Sequence, residues 1–310
     1  MTVAAYLAEW LQGSVQPRCR PRTYESYRQT VERYIVPAIG SIPLAKLEPA
    51  DVARMLARLS ARGTLSPTTV RYVYSVLRIA LGRALKAGRV VRNVCTLVDP
   101  PAKASPEIRP LTRDQVRAFL AATADDRLGP LYGLAVATGL RQGELLGLRW
   151  SDLDLDSGAL VVRHTLGQRD HALAEPKTER AHRTLRLGAA AVAILREQRR
   201  RQNGERLAAG RGWHHLDFVF TTRTGTPLGA SNVIRAFHAA LGRAGLPHQR
   251  FHDLRHAYAT LMLADGEELV AVSRAMGHAT LSVTADVYGH VSEAMQERAA
   301  ARMDRILGVG

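Results

Sequence analysis

This 310-residue sequence predicts a mainly α-helical chain in two parts: a basic helical bundle at the N-terminus and a larger α+β half carrying a small antiparallel sheet. Three observations predict it. Apolar residues recur at helical spacing through most of the chain. Strict alternation replaces that spacing only between residues 152 and 187. A proline-rich stretch without periodicity, Asp99-Pro100-Pro101-Ala102-Lys103-Ala104-Ser105-Pro106, separates the two parts, and its prolines favour an extended course. The expected organisation is a helical domain at 1–98, a linker at 99–109 and a second domain at 110–310 ending in a terminal helix.

Composition narrows the function classes. The hydrophobic content of 46% is that of a folded chain, and the formal net charge of +15 calls for a polyanionic partner, nucleic acid or an acidic surface. Residues 1–100 hold 15 Lys+Arg against 6 Asp+Glu, whereas residues 101–310 hold 28 against 22, so the smaller part is the more basic. The longest apolar run, near residues 131–140, is too short to span a bilayer and suits a buried helix. Residues 1–13 include Glu9 and no basic start, unlike a signal peptide. Cys19 and Cys95 are far apart and form no ligand pair. A cytoplasmic, nucleoid-associated protein without membrane attachment is expected.

In the first part, periodicity places helices at 3–11, 23–34, 49–61 and 67–87. Ser66 is a natural N-cap and Pro67 a natural first helical residue. Val70, Val73, Leu77, Ala80, Leu81 and Leu85 form the apolar stripe of that last helix. Arg71, Tyr74, Ser75 and Arg78 form the opposite face, suited to phosphate oxygens and base edges. A solvated face is the competing explanation, and the local charge surplus favours DNA.

In the second part, Thr112 can cap a helix running to residue 122. Gly139, in Thr138-Gly139-Leu140-Arg141-Gln142-Gly143-Glu144, allows a sharp turn that leaves Arg141 at a helix start, where free N–H groups favour an anion. Glu144, one turn on, could orient Arg141 or a neighbouring histidine, or simply face solvent. Strands follow at 159–164 and 183–187, with Lys177 between them. The chain has 39 Arg and four Lys, and an ammonium, unlike a guanidinium, can give up and recover a proton. General acid and exposed turn lysine both remain open on these grounds. A basic helix (189–206), a short strand (218–220), a helix (231–244) and another at 267–276 complete the pattern.

The densest chemistry lies in Phe251-His252-Asp253-Leu254-Arg255-His256, then Gly277-His278, then Tyr288. His252 and Arg255 share a helix face and His256 lies close to it. An imidazole that moves protons near neutral pH beside a guanidinium that grips phosphate suits phosphoryl chemistry. His278 follows a helix C-terminus, which favours a cationic imidazole able to donate to a phosphate oxygen. His252 and His256 also have the spacing of a zinc-binding pair, although the residue after the first histidine is Asp253 rather than Glu. Tyr288 alone would be read as a core or rim residue.

Taken in order, His252-x-x-Arg255-His256, Gly277-His278 and Tyr288 resemble the C-terminal half of the tyrosine recombinases, the phage integrase type of site-specific DNA recombinase. The Thr138–Leu146 box resembles the first motif of that family, and Glu175-Pro176-Lys177-Thr178 its lysine hairpin. More weakly, residues 23–27, 65–70 and 84–93 resemble the core-type DNA-binding domain, with Val94 where the family often has proline. The resemblance implies a SAM-like N-terminal bundle joined to an α+β tyrosine-recombinase domain. It implies Arg141, Lys177, His252, Arg255, His278 and Tyr288 as the catalytic set, with Glu144 and His256 in support. Arg141, Arg255 and His278 would neutralise the scissile phosphate, Tyr288 would attack it to leave a 3′-phosphotyrosyl link, Lys177 would protonate the departing 5′ oxygen and His252 would handle the tyrosine proton.

No cofactor or metal is implied, and the sequence holds no Gly-Lys dipeptide of a phosphate-binding loop. The implied partners are double-stranded DNA bearing attachment or core sites, a homotetramer on synapsed DNA passing through a Holliday junction, and a directionality factor. By its own apolar positions the terminal helix at 291–307 could seal its own domain, whereas the resemblance implies that it docks on a neighbouring protomer. An integrase of a phage or mobile element is the expected subtype, and one without the arm-binding domain of larger phage integrases is expected. Alternatives are a dimer-resolving recombinase, a type IB topoisomerase-like activity, a metal hydrolase on His252 and His256, and a non-catalytic DNA-binding protein.

Overall fold

The computed structural model describes residues 1–102, 109–167, 172–174, 182–277, 300–305 and 307–308. Contacts divide the chain into two units, Met1–Glu107 and Ile108–Gly310.

In the first unit, α1 (Val3–Trp10) runs on through a π-helical turn at Leu11–Val15. Next, α2 (Pro21–Thr30) passes through a second such turn into α3 (Val36–Ile39), and α4 (Pro49–Ala61) and α5 (Pro67–Lys86) follow. Proline opens α2, α4 and α5, where its missing N–H is one the helix leaves unpaired anyway. Ser66 caps α5 as its sequence predicts, its Oγ accepting the Thr69 N–H at 3.2 Å. Val3, Leu7, Ile35, Val52, Val73, Leu77 and Ala80 are sealed in the core. Each larger side chain among them contributes roughly 1.5–3 kcal/mol by burial, more than an exposed ion pair offers.

One residue of the expected DNA face is corrected. Tyr74 points inward, only 7% exposed, and its hydroxyl donates to the Cys95 carbonyl at 2.9 Å. Lying four residues after Val70 and three before Leu77, it belongs to the buried stripe. Arg71 is half-buried and donates to the Pro101 carbonyl at 2.6 Å. The half-buried Ser75 returns its hydroxyl to the Arg71 carbonyl, and Arg78 is exposed. Leu85, expected in the apolar stripe, is 42% exposed at the stripe's end.

The second unit opens with α6 (Arg113–Ala122), capped by a reciprocal pair: Thr112 Oγ1 accepts the Gln115 N–H and Gln115 Oε1 accepts the Thr112 N–H. Then come α7 (Gly129–Thr138), α8 (Gln142–Leu146), β1 (Leu153–Asp154), β2 (Ala159–Val162), β3 (Thr165–Leu166), β4 (Leu173–Ala174) and β5 (Arg183–Arg186). The unit continues with α9 (Ala189–Ala209), α10 (Ala230–Arg243), α11 (Asp253–Asp265) and α12 (Leu269–Met276). β1, β2 and β5 form an antiparallel sheet in which Val162 pairs with Arg183, and β3 and β4 form a separate pair. The expected strand at 218–220 is instead a single bridge, Phe218 opposite Arg149. A second bridge, Thr221 to Pro227, turns the chain before a ladder can grow.

The core that carries the site is aromatic. Phe119 of α6, Tyr132 of α7, Phe237 of α10 and Phe251 meet with ring centroids 5.4–6.4 Å apart. Phe251 thereby anchors the chain directly before His252. The expected terminal helix at 291–307 lies for the most part outside the described residues. Among the described residues no helix is long and apolar enough to cross a membrane.

Candidate active site

Two turns that only glycine adopts readily frame the site. Gly139 ends α7 at φ +61° and Gly277 ends α12 at φ +65°. A Cβ at Gly139 would lie 2.5 Å from Cδ1 of Tyr258 on α11, so the ring closes over the turn as tightly as a glycine permits. The turn delivers Arg141 to the residue before α8. There its backbone N–H donates to Glu144 Oε2 at 2.9 Å and its Nη1 donates to Oε1 at 2.8 Å. Glu144 is 4% exposed, so it is a structural partner of Arg141 rather than a solvent-facing acid.

Arg255 enters from α11. It is 2% exposed, donating through Nη1 to the Gly139 carbonyl and through Nη2 to the Met276 carbonyl, both at 2.6 Å. Arg141 donates through Nη2 to the Gly277 carbonyl at 2.9 Å. Arg183 of β5 donates through Nε to the Ala275 carbonyl at 2.7 Å and through Nη2 to Glu144 Oε2 at 3.0 Å. A helix leaves its last carbonyls without intrahelical partners and its C-terminus partly negative. At the end of α12 three successive carbonyls each take one guanidinium. Because those carbonyls belong to a helix packed through Val272 and Met276, the guanidiniums are held before any substrate arrives.

His252 stands directly before α11, one residue from Asp253, whose carboxylate takes the backbone N–H and the guanidinium of Arg250. The rings of His252 and His256 meet edge to face with centroids 5.1 Å apart. Burial of one side of the His252 ring, then the charges of His256, Arg255 and Arg141, pull its pKa down to about 4. The residue nevertheless keeps an exposed edge. Water there screens the neighbouring charges in part, and the direction stays downward from the ordinary 6.5. The ring is therefore neutral at pH 7 and able to accept a proton. Burial also lowers the pKa of His256, aided by Arg250 and Arg255. Burial alone would raise the pKa of Glu144, but the hydrogen bonds and charges of Arg183 and Arg141 outweigh it and keep the carboxylate ionised.

The fold thus brings together Arg141, Glu144, His252, Arg255 and His256. Lys177, His278 and Tyr288 lie outside the described residues. Arg183 is the member that sequence reasoning passed over. Its signal was present but weak: an arginine in an alternating strand, at a position a half-buried sheet keeps for an inward side chain. Among the described residues no three His, Cys, Asp or Glu side chains are grouped to hold a metal ion.

Residues 109–295 match the phage integrase family, and residues 2–60 match the phage integrase N-terminal SAM-like domain. The chain belongs to the phage integrase family. Its activity is that of a tyrosine-type site-specific DNA recombinase. A XerC-like tyrosine recombinase of Caldanaerobacter subterraneus subsp. tengcongensis is 31% identical across 94% of this chain and 80% of its own length. An integrase of Streptomyces ambofaciens is 32% identical across 100% and 81%. Among solved structures, the Tn1549 transposon integrase in complex with transposon right end DNA superposes with a TM-score of 0.79 at 22% identity, covering 97% of this chain and 100% of that one. A lambda integrase tetramer bound to a Holliday junction superposes at 0.70 and 20% identity, covering 93% and 78%.

Proposed function

We propose that this recombinase breaks and rejoins DNA with Arg141 and Arg255 gripping the scissile phosphate, His278 as a third donor, and Tyr288 as the nucleophile. The observation that carries this reading is the convergence of Arg141, from the start of α8, with His252 and Arg255, from the start of α11, around the Gly139 turn and the end of α12. The Tyr288 oxygen attacks phosphorus and forms a phosphotyrosyl bond while the bond to the 5′ oxygen breaks. The tyrosine proton passes to His252, and Lys177 supplies a proton to the departing 5′ oxygen. Attack by the 5′ hydroxyl of a second strand reverses these steps, so the bond energy is conserved and the chemistry calls for no nucleotide cofactor.

The relatives named integrase support a role in integrating or excising a mobile element at paired attachment sites. The lambda structure, a tetramer on a Holliday junction, supports a homotetramer on synapsed DNA. Arg71, Ser75 and Arg78 of α5 contact the duplex in this reading, a directionality factor biases the outcome, and the protein works at the nucleoid. Incubating Tyr288→Phe with a nicked attachment-site duplex tests the core of the scheme. The variant should shift the DNA on a gel yet form no covalent adduct stable to detergent. An adduct at the unaltered yield would remove Tyr288 from the reaction.

A further inference from the structure

We propose that Arg183 is a positioning residue for strand cleavage: it takes a share of Glu144 and holds the end of α12, and so leaves Arg141 both correctly placed and electrostatically in surplus. The inference rests on Arg141 donating hydrogen bonds to the scissile phosphate.

Arg183 is built into the site more firmly than a strand arginine requires. Its side chain is 8% exposed and that of Glu144 is 4% exposed. It reaches the carboxylate with both terminal nitrogens, at 3.3 Å to Oε1 and 3.0 Å to Oε2, while Nε reaches the Ala275 carbonyl at 2.7 Å. Arg141 uses the same carboxylate and reaches the carbonyl of Gly277, two residues along the same helix end. The contacts close a ring: Arg183 to Glu144, Glu144 to Arg141, Arg141 to Gly277, and back through the helix end to Ala275 and Arg183. Neither arginine can tilt without moving the carboxylate or α12.

Charge gives the ring a purpose beyond stiffness. A lone Arg141–Glu144 pair is neutral overall, and its guanidinium would spend its field on its own partner. Because Glu144 divides its single charge between two guanidiniums, less of it is spent on Arg141. Arg141, 38% exposed against 8% for Arg183, is the one that can present its charge to an anion. Neutralising developing charge on a phosphate is worth most when the donor is fixed and water is scarce. Arg186, three residues along the strand, is exposed and donates to the Ser157 carbonyl, and so serves as a control.

Single-turnover cleavage of a nicked attachment-site duplex, with a normal or a neutral methylphosphonate linkage at the scissile position, tests this in the full chain. Arg183→Met should slow cleavage of the normal linkage by about ten- to a hundredfold, part of what losing a direct donor costs. DNA affinity should stay within about twofold and Arg186→Met should cleave normally. On the methylphosphonate, which has no anionic oxygen to neutralise, the loss should shrink severalfold. An equal loss on both linkages would make Arg183 a structural staple only, and no loss on the normal linkage would remove it from the reaction. Should Arg183→Met fail to fold, Arg183→Gln carries the same comparison, since it keeps hydrogen-bond donors near Glu144 and gives up the charge. Arg141→Met, run alongside, separates the two ideas. If it cleaves normally the phosphate role of Arg141 fails. If it is inactive while Arg183→Met cleaves like the parent, only the role of Arg183 falls.

Discussion

Replacing Gly139 by alanine strikes the turn on which the guanidiniums of Arg141 and Arg255 depend. At φ +61° an alanine costs about 1–2 kcal/mol over glycine. Its Cβ would lie 2.5 Å, 3.0 Å and 3.1 Å from three ring carbons of Tyr258, and forcing that ring aside adds about 1–3 kcal/mol. The sum, about 2–5 kcal/mol, corresponds to a fall of roughly 5–15 °C in the melting temperature of a unit this size. Function should suffer further, because the Gly139 carbonyl seats Arg255 and the following residues seat Arg141. Calorimetry on the full chain, with single-turnover cleavage measured well below the transition, would read both effects. Adding Tyr258→Ala should return the clash portion of the loss and leave the backbone portion. A Gly139→Ala protein melting within 2 °C of the parent and cleaving at its rate would refute the packing argument.

Other expectations follow from the same geometry. Glu144→Gln removes a buried carboxylate shared by two arginines and should cost about 3 kcal/mol of stability, read by urea unfolding; a cost under about 0.5 kcal/mol would mean the shared pair is not formed. Because the pKa of His252 is depressed, its proton-accepting form persists at neutral pH and is lost only as acidity increases. The acid limb of the cleavage profile should therefore fall below pH 6.5 and disappear in His252→Asn; a limb assigned to this residue above pH 7 contradicts its surroundings. Tyr74→Phe should lower stability by about 1 kcal/mol with unchanged DNA affinity. Arg78→Ala should weaken binding to all sequences and reduce the salt dependence by about one ion; the reverse pattern would restore Tyr74 to the DNA face. Truncation after His290 should abolish recombination between paired sites if the terminal segment docks on a neighbour, and unimpaired recombination would exclude that docking.

Much of this protein was legible as sequence because the signals are local. Ser66 with Pro67, Thr112 with Gln115, and Gly139 before Arg141 each fix a backbone state through groups within a few residues, so their outcome follows without knowing the rest of the fold. The same holds for the spacing of His252, Arg255 and His256, which one helix start determines. Tertiary structure decided what depends on distant partners. Tyr74 turned inward because the carbonyls of Cys95 and Val98 receive its hydroxyl. Residues 218–220 formed one bridge because Arg149 offered one. Arg183, an alternating strand residue by pattern, gained its place at the site because β5 lies beside the end of α12, whose carbonyls draw guanidiniums from positions 21, 92 and 136 residues away from their acceptors' own. Helical and turn preferences act through neighbouring atoms. The gathering of guanidiniums at the end of α12 acts through contacts that exist only once the chain has closed on itself.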